Sequence, residues 1–234
     1  MATTTFPVSS AESELTERVA RNLAALRERI AAAGRDPSRV RVVAVTKTFG
    51  PEAVRAAAFV GLDAVGENYL VELEDKRRDL GDVALAWHYL GALQSNKIAR
   101  VAAVADVICS VSRVKEIERL AGVGATARIY VQVDYTARDE RNGAPPGDVA
   151  GLVSLARERG LGIVGLMTVA PPDPALAQVA FRETAQLADD LDLEVRSMGM
   201  SDDLELACRW GTTEVRVGRA LFGPRAPRTN PPLA

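Results

Sequence analysis

Short apolar runs alternate with amphipathic helical patterns along almost all of this 234-residue chain. Strand-like runs fall near 41–46, 63–66, 85–91, 106–111, 127–133, 161–167, 194–198 and 213–217. Between them lie helical stretches such as EAVRAAAFV, IARVAAVA and DVAGLVSLARERG. A helix between two strands returns the chain to the same edge, so successive strands pair in parallel. About eight such units in roughly 250 residues suggest a single closed (β/α)8 TIM-type barrel. A doubly wound open sheet is the alternative that the same alternation allows. Ahead of the first strand, Leu15, Val19, Leu23, Leu26 and Ile30 recur every three or four residues and predict an extra N-terminal helix. The expected domain plan is a flexible segment 1–11, one barrel over 12–223 and a flexible proline-rich tail 224–234.

Composition removes several function classes. The net charge of -2 gives no electrostatic footprint for nucleic acid. No uncharged apolar run approaches the roughly 18 residues of a membrane span. The N-terminus has no basic start and no apolar core, so no secretory signal is expected. One histidine and two scattered cysteines make no metal constellation. Cys109 and Cys208 lie in apolar patterns and read as buried free thiols, which fits a cytoplasmic setting.

The strand ends carry the chemistry. The stretch VRVVAVTKTFG runs from a doubly buried strand directly into Lys47. One reading is a solvated lysine in a strand-to-helix turn, with Gly50 and Pro51 as the turn and helix start. The other is a nucleophile, a partly desolvated amine able to form a Schiff base. Other candidate strand ends hold Glu67 and Asn68, His88, Ser110 and Ser112, Asp134, and Met167 and Thr168. In such barrels these ends form the catalytic rim. The loop SMGMSDD, with Met200 and Ser201, and the segment VRVGRALFG, with Gly218 and Arg219, follow the last two strands. Loops in that position often bind phosphate through backbone N–H groups. Ser201 equally suits a helix N-cap, with Asp202 and Asp203 in the first turn. A rim lysine and a phosphate cup together suggest a phosphorylated aldehyde, pyridoxal 5'-phosphate (PLP). Arg216 would then lie near the pyridine ring, or would form an internal salt bridge with a group such as Glu67.

The segments VAVTKTF, GEN, WHYLGALQSNK, GLMTVAP, SMGMSDDLELA and VRVGRALFG, in this order, resemble the pyridoxal phosphate homeostasis proteins. The resemblance runs from about residue 12 to residue 223. It implies a barrel like the N-terminal domain of alanine racemase, with PLP on Lys47. It also implies phosphate contacts from Ser201 and the backbone of Gly218 and Arg219, and a ring-nitrogen contact from Arg216. The candidate cofactor residues are thus Lys47, Asn68, His88, Met200, Ser201, Arg216, Gly218 and Arg219. Two positions depart from the family pattern: Arg219 replaces a small hydroxyl residue, and Asp134 stands where asparagine is common.

Binding PLP does not require catalysis. A racemase needs an acid/base pair flanking the substrate Cα, and no tyrosine is obviously placed for it; a lone histidine reads first as a packed core residue. An arginine at the ring nitrogen weakens the cofactor as an electron sink. The expected function is a PLP-binding protein of intracellular PLP homeostasis that stores the cofactor or delivers it to apo PLP-dependent enzymes, as a monomer. The alternatives are a slow racemase-like PLP enzyme and, disfavoured by the motifs, a class I aldolase.

Overall fold

The computed structural model describes residues 10–81, 83–136 and 142–224. Each apolar run overlaps a strand: β1 (Arg41–Val45), β2 (Ala64–Glu67), β3 (Ala86–Tyr89), β4 (Val107–Val111), β5 (Arg128–Val133), β6 (Ile163–Thr168), β7 (Val195–Ser197) and β8 (Glu214–Val217). All pair in parallel in chain order. The barrel closes where β1 meets β8, from Arg41 opposite Glu214 to Ala44 opposite Val217. Closure leaves no sheet edge and excludes the open-sheet alternative.

The helices are α1 (Ser10–Ala32), α2 (Pro51–Phe59), α3 (Leu70–Asp79), α4 (Ile98–Val104), α5 (Val114–Gly122), α6 (Val149–Glu158), α7 (Pro174–Asp190), α8 (Leu204–Arg209) and α9 (Arg219–Phe222). Local chemistry fixes several starts. Pro51 opens α2, and Pro174 opens α7 behind Asp173, whose carboxylate accepts from Ala175 N and Leu176 N. Helix α1 begins at Ser10, inside the segment expected to fray. Residues 1–9 and 225–234, which hold the rest of both expected flexible ends, lie outside the described residues.

Strand alternation sorts the apolar side chains into two layers. Val42, Ala44 and Ile108 belong to the large core shared with the helices. Val107, Cys109, Tyr130 and Met167 form a separate cluster that fills the barrel. The apolar face of α1 is fully committed: Leu15, Val19, Leu23, Leu26 and Ile30 are all buried, against α2, α8 and α9. Asn22 Nδ2 also donates to Leu221 O at 2.8 Å, which ties α1 to α9. Among the described residues, no helix is long and apolar enough to cross a membrane.

Because α1 braces the last two helices, it is part of the fold and not an appendage. Leu26→Ala should cost about 2–5 kcal/mol in equilibrium urea unfolding, as truncation of a fully buried leucine does. A loss well below that range would mean that α1 can peel away without opening the barrel.

Candidate functional site

A cavity of about 400 Å³ opens at the C-terminal end of the barrel. Lys47, Asn68, Met200, Ser201, Arg216, Gly218 and Arg219 all line it, together with Val45, Leu90, Met167, Val169 and Asp202. The sequence candidates thus converge, with one exception. His88 is completely buried below the cavity. It shares a strand face with Leu90, and Leu90 is the residue that reaches the cavity wall. The His88 ring lies against Tyr130, with Nδ1 3.6 Å from Cys109 Sγ and 3.9 Å from Glu214 Oε1. Burial lowers its pKa and favours the neutral ring.

The turn that carries Lys47 is held from behind. Strand pairing extends one residue past β1, with Thr46 N donating to Gly66 O at 3.0 Å. Thr46 Oγ1 donates to Glu67 Oε1 at 2.7 Å. Lys76 Nζ, on α3, donates to the same Glu67 oxygen at 2.6 Å and to Thr46 O at 2.8 Å. Glu67 and Lys76 are 0% and 5% exposed, so this ion pair is shielded from water. Burial pushes the Glu67 pKa up while Lys76 opposes that shift. On the other side of Lys47, Thr48 N donates to Glu72 Oε2 at 2.7 Å. Thr48 has φ 68°, a left-handed conformation that a β-branched residue rarely adopts. Phe49 N closes the turn onto Thr46 O at 3.0 Å. Backbone strain next to a rim lysine is the kind of feature that clusters at functional sites.

Arg216 enters the cavity from β8. Its Nη1 donates to Ser197 O at 2.6 Å and Ser197 Oγ at 2.8 Å. Its Nη2 donates to Thr168 O at 2.7 Å. The side chain is thereby fixed by neutral acceptors from β6 and β7. Burial lowers its pKa, while the nearby Glu214 acts in the opposite direction. The salt bridge with Glu67 considered from sequence does not form, because Glu67 is taken by Lys76.

The expected cap role of Ser201 is corrected. Helix α8 starts at Leu204 behind Asp203 as N-cap, and Asp203 Oδ1 accepts from Met200 N at 2.6 Å. Ser201 sits two residues upstream, in the loop. Its carbonyl accepts from Arg29 Nη2 at 3.0 Å, and the same guanidinium pairs with Glu205. Gly199 makes this loop possible: its φ is 98°, and a Cβ there would lie 2.6 Å from Ala207 Cβ. Gly218 is the N-cap position of α9, whose first N–H groups have no partner within the helix.

Other rim candidates are structural. Asp134 does not line the cavity; its Oδ1 accepts from Thr136 N and Oγ1, a local turn. Ser110 Oγ donates to Gly91 O, and Ser112 N donates to Glu116 Oε2. The sequence reading missed Lys76 and Glu72. One signal was available: Lys76 follows Leu70 and Leu73 at three-residue spacing, on the buried face of α3.

The family model for the alanine racemase N-terminal domain matches residues 16–226. The pyridoxal phosphate homeostasis protein of Pseudomonas aeruginosa is 39% identical over 223 residues, covering 91% of this chain and 96% of that protein. The protein of that name from Escherichia coli K12 is 32% identical over 227 residues, covering 88% and 97%. The PLP-bound structure of PipY from Synechococcus elongatus superposes with a TM-score of 0.76 at 34% identity, covering 88% of this chain and all of PipY. Alanine racemase from Corynebacterium glutamicum shares the fold, with a TM-score of 0.69 at 19% identity over 92% of this chain and 63% of the racemase.

The buried pair behind Lys47 makes a testable demand. Lys76→Met should cost about 3–5 kcal/mol in denaturant unfolding, because it strands the Glu67 carboxylate. Adding Glu67→Gln should recover much of that loss. A single variant close to wild type in stability would show that the pair does not support the turn.

Proposed function

The chain belongs to the pyridoxal phosphate homeostasis proteins, within the alanine racemase N-terminal domain family, and we propose that it serves intracellular PLP homeostasis by holding PLP as a Schiff base on Lys47 and storing or delivering it. The observation that carries this reading is the convergence of Lys47, Ser201, Arg216 and Gly218 on one cavity. Its volume of about 400 Å³ falls in the usual range of roughly 300–1,000 Å³ for small-molecule sites. The donor set fits the cofactor: an amine for the aldehyde, a hydroxyl and helix-start N–H groups for the phosphate, and a cation for the ring nitrogen.

When bound, PLP supplies an electron sink toward an amino-acid Cα. Arg216 limits that power, because a cation beside the ring nitrogen disfavours its protonation. The three hydrogen bonds that Arg216 donates to Ser197 and Thr168 keep the guanidinium from turning away. Lys47, anchored through its backbone neighbours, lines the cavity from a fixed backbone position. The described cavity-lining residues include no tyrosine, histidine or cysteine. The carrier reading rests on Arg216, whose charge restrains the cofactor as an electron sink. The reading extends to a cytoplasmic monomer that hands PLP to apo PLP-dependent enzymes. The free, buried thiols of Cys109 and Cys208 accord with a reducing compartment.

Two measurements test the reading. Lys47→Ala should fold normally by circular dichroism yet lose the visible absorption that PLP gives with the wild-type chain, since a rim residue contributes little to the packed layers. An unchanged visible band in this variant would remove Lys47 from the proposal. Arg216→Glu, which replaces the cation by a group that favours ring protonation, should exchange the α-proton of added amino acids for deuterium faster per bound PLP. Exchange no faster than wild type would separate Arg216 from control of the cofactor.

A further inference from the structure

Arg219 occupies the position directly after Gly218, where the family resemblance leads to a small hydroxyl residue. Its guanidinium does not simply point to solvent. Nη2 donates to Asp202 Oδ2 at 2.6 Å, and both residues line the Lys47 cavity. Asp202 directly follows Ser201, so this ion pair joins the two loops that flank the phosphate end. The side chains are 62% and 81% exposed, and neither has another hydrogen-bond partner among the described residues. An exposed single pair of this kind is weak and breaks readily. A phosphate carries more charge than a carboxylate and offers a guanidinium the same two-pronged geometry.

We infer that the Arg219 guanidinium is an exchangeable phosphate ligand: it leaves Asp202 for the cofactor's phosphate and returns to Asp202 on release. The inference rests on the PLP reading above and adds a charged side chain to the backbone contacts. Arg219 then favours the phosphorylated aldehyde over its unphosphorylated form. Asp202 acts as a resident competitor that lowers affinity and receives the guanidinium when the cofactor departs. Such an exchange suits a protein that must give up what it holds.

The test compares dissociation constants for PLP and for pyridoxal, which lacks the phosphate, by absorbance titration of purified protein. Arg219→Ser should weaken PLP by about tenfold or more, the effect of losing a charge-assisted hydrogen bond, and should leave pyridoxal unchanged. Asp202→Asn should tighten PLP severalfold, again without moving pyridoxal. Both side chains are exposed, and circular dichroism melting confirms that the variants are folded. Equal effects of Arg219→Ser on the two aldehydes, or no effect on either, would overturn the phosphate role. Unchanged or weaker PLP binding in Asp202→Asn would overturn the exchange and make Asp202 a fixed clasp. Failure of the underlying PLP reading is distinct, because the wild-type chain would then bind neither aldehyde.

Discussion

The buried ion pair between Lys76 and Glu67 is the constraint on which the site depends. Two opposite charges taken out of water gain stability only when their remaining hydrogen-bonding capacity is met nearby. Here much of it is met by Thr46, through its hydroxyl and its carbonyl oxygen. Electrostatics thus hold the residue just before Lys47 in place, and Glu72 holds the residue just after it through Thr48 N. The left-handed backbone of Thr48 persists because Glu72 holds its own N–H and Phe49 N closes the turn onto Thr46 O. A lysine on an unsupported loop would spread its amine over many positions. Between two anchored residues it is confined to the rim.

The second constraint works from the neighbouring strand, β8. Arg216 is a buried cation whose direct partners are a hydroxyl and two carbonyl oxygens, not a carboxylate. Its charge is balanced at longer range by Glu214, one inward position deeper on β8, which accepts from Tyr130 Oη at 3.1 Å. A guanidinium with no carboxylate in contact keeps its field directed into the cavity. The wall beside Lys47 therefore carries a fixed cation on β8, the strand paired with β1. The same side chain gives the cavity its fixed positive charge.

Much of this was legible in the sequence, and the misses have physical causes. Strands buried on both faces leave continuous apolar runs, so their positions and the rim lysine stood out. His88 reads first as a packed core residue, which its burial bears out, whereas its expected place among the cofactor contacts is not borne out. A strand end is uncertain by a residue or two, and that is enough to exchange cavity wall for barrel interior. Ser201 and Asp203 both belong to the residue types favoured at an N-cap, and only the turn geometry chooses Asp203. Lys76 reads as a solvated helix residue because lysine is rarely buried unless paired. Its partner Glu67 lies on a strand, and the pairing exists only once α3 folds back on β2. The Arg219–Asp202 pair depends likewise on two loops brought together by barrel closure.

The central claim is that this fold delivers one particular amine to PLP. Borohydride reduction of the PLP-loaded wild-type chain, followed by peptide mass mapping, reads that out directly. The account predicts a single stoichiometric pyridoxyl adduct on the peptide containing Lys47. An adduct mainly on Lys76, Lys97 or Lys115, or one spread across several lysines, would contradict it.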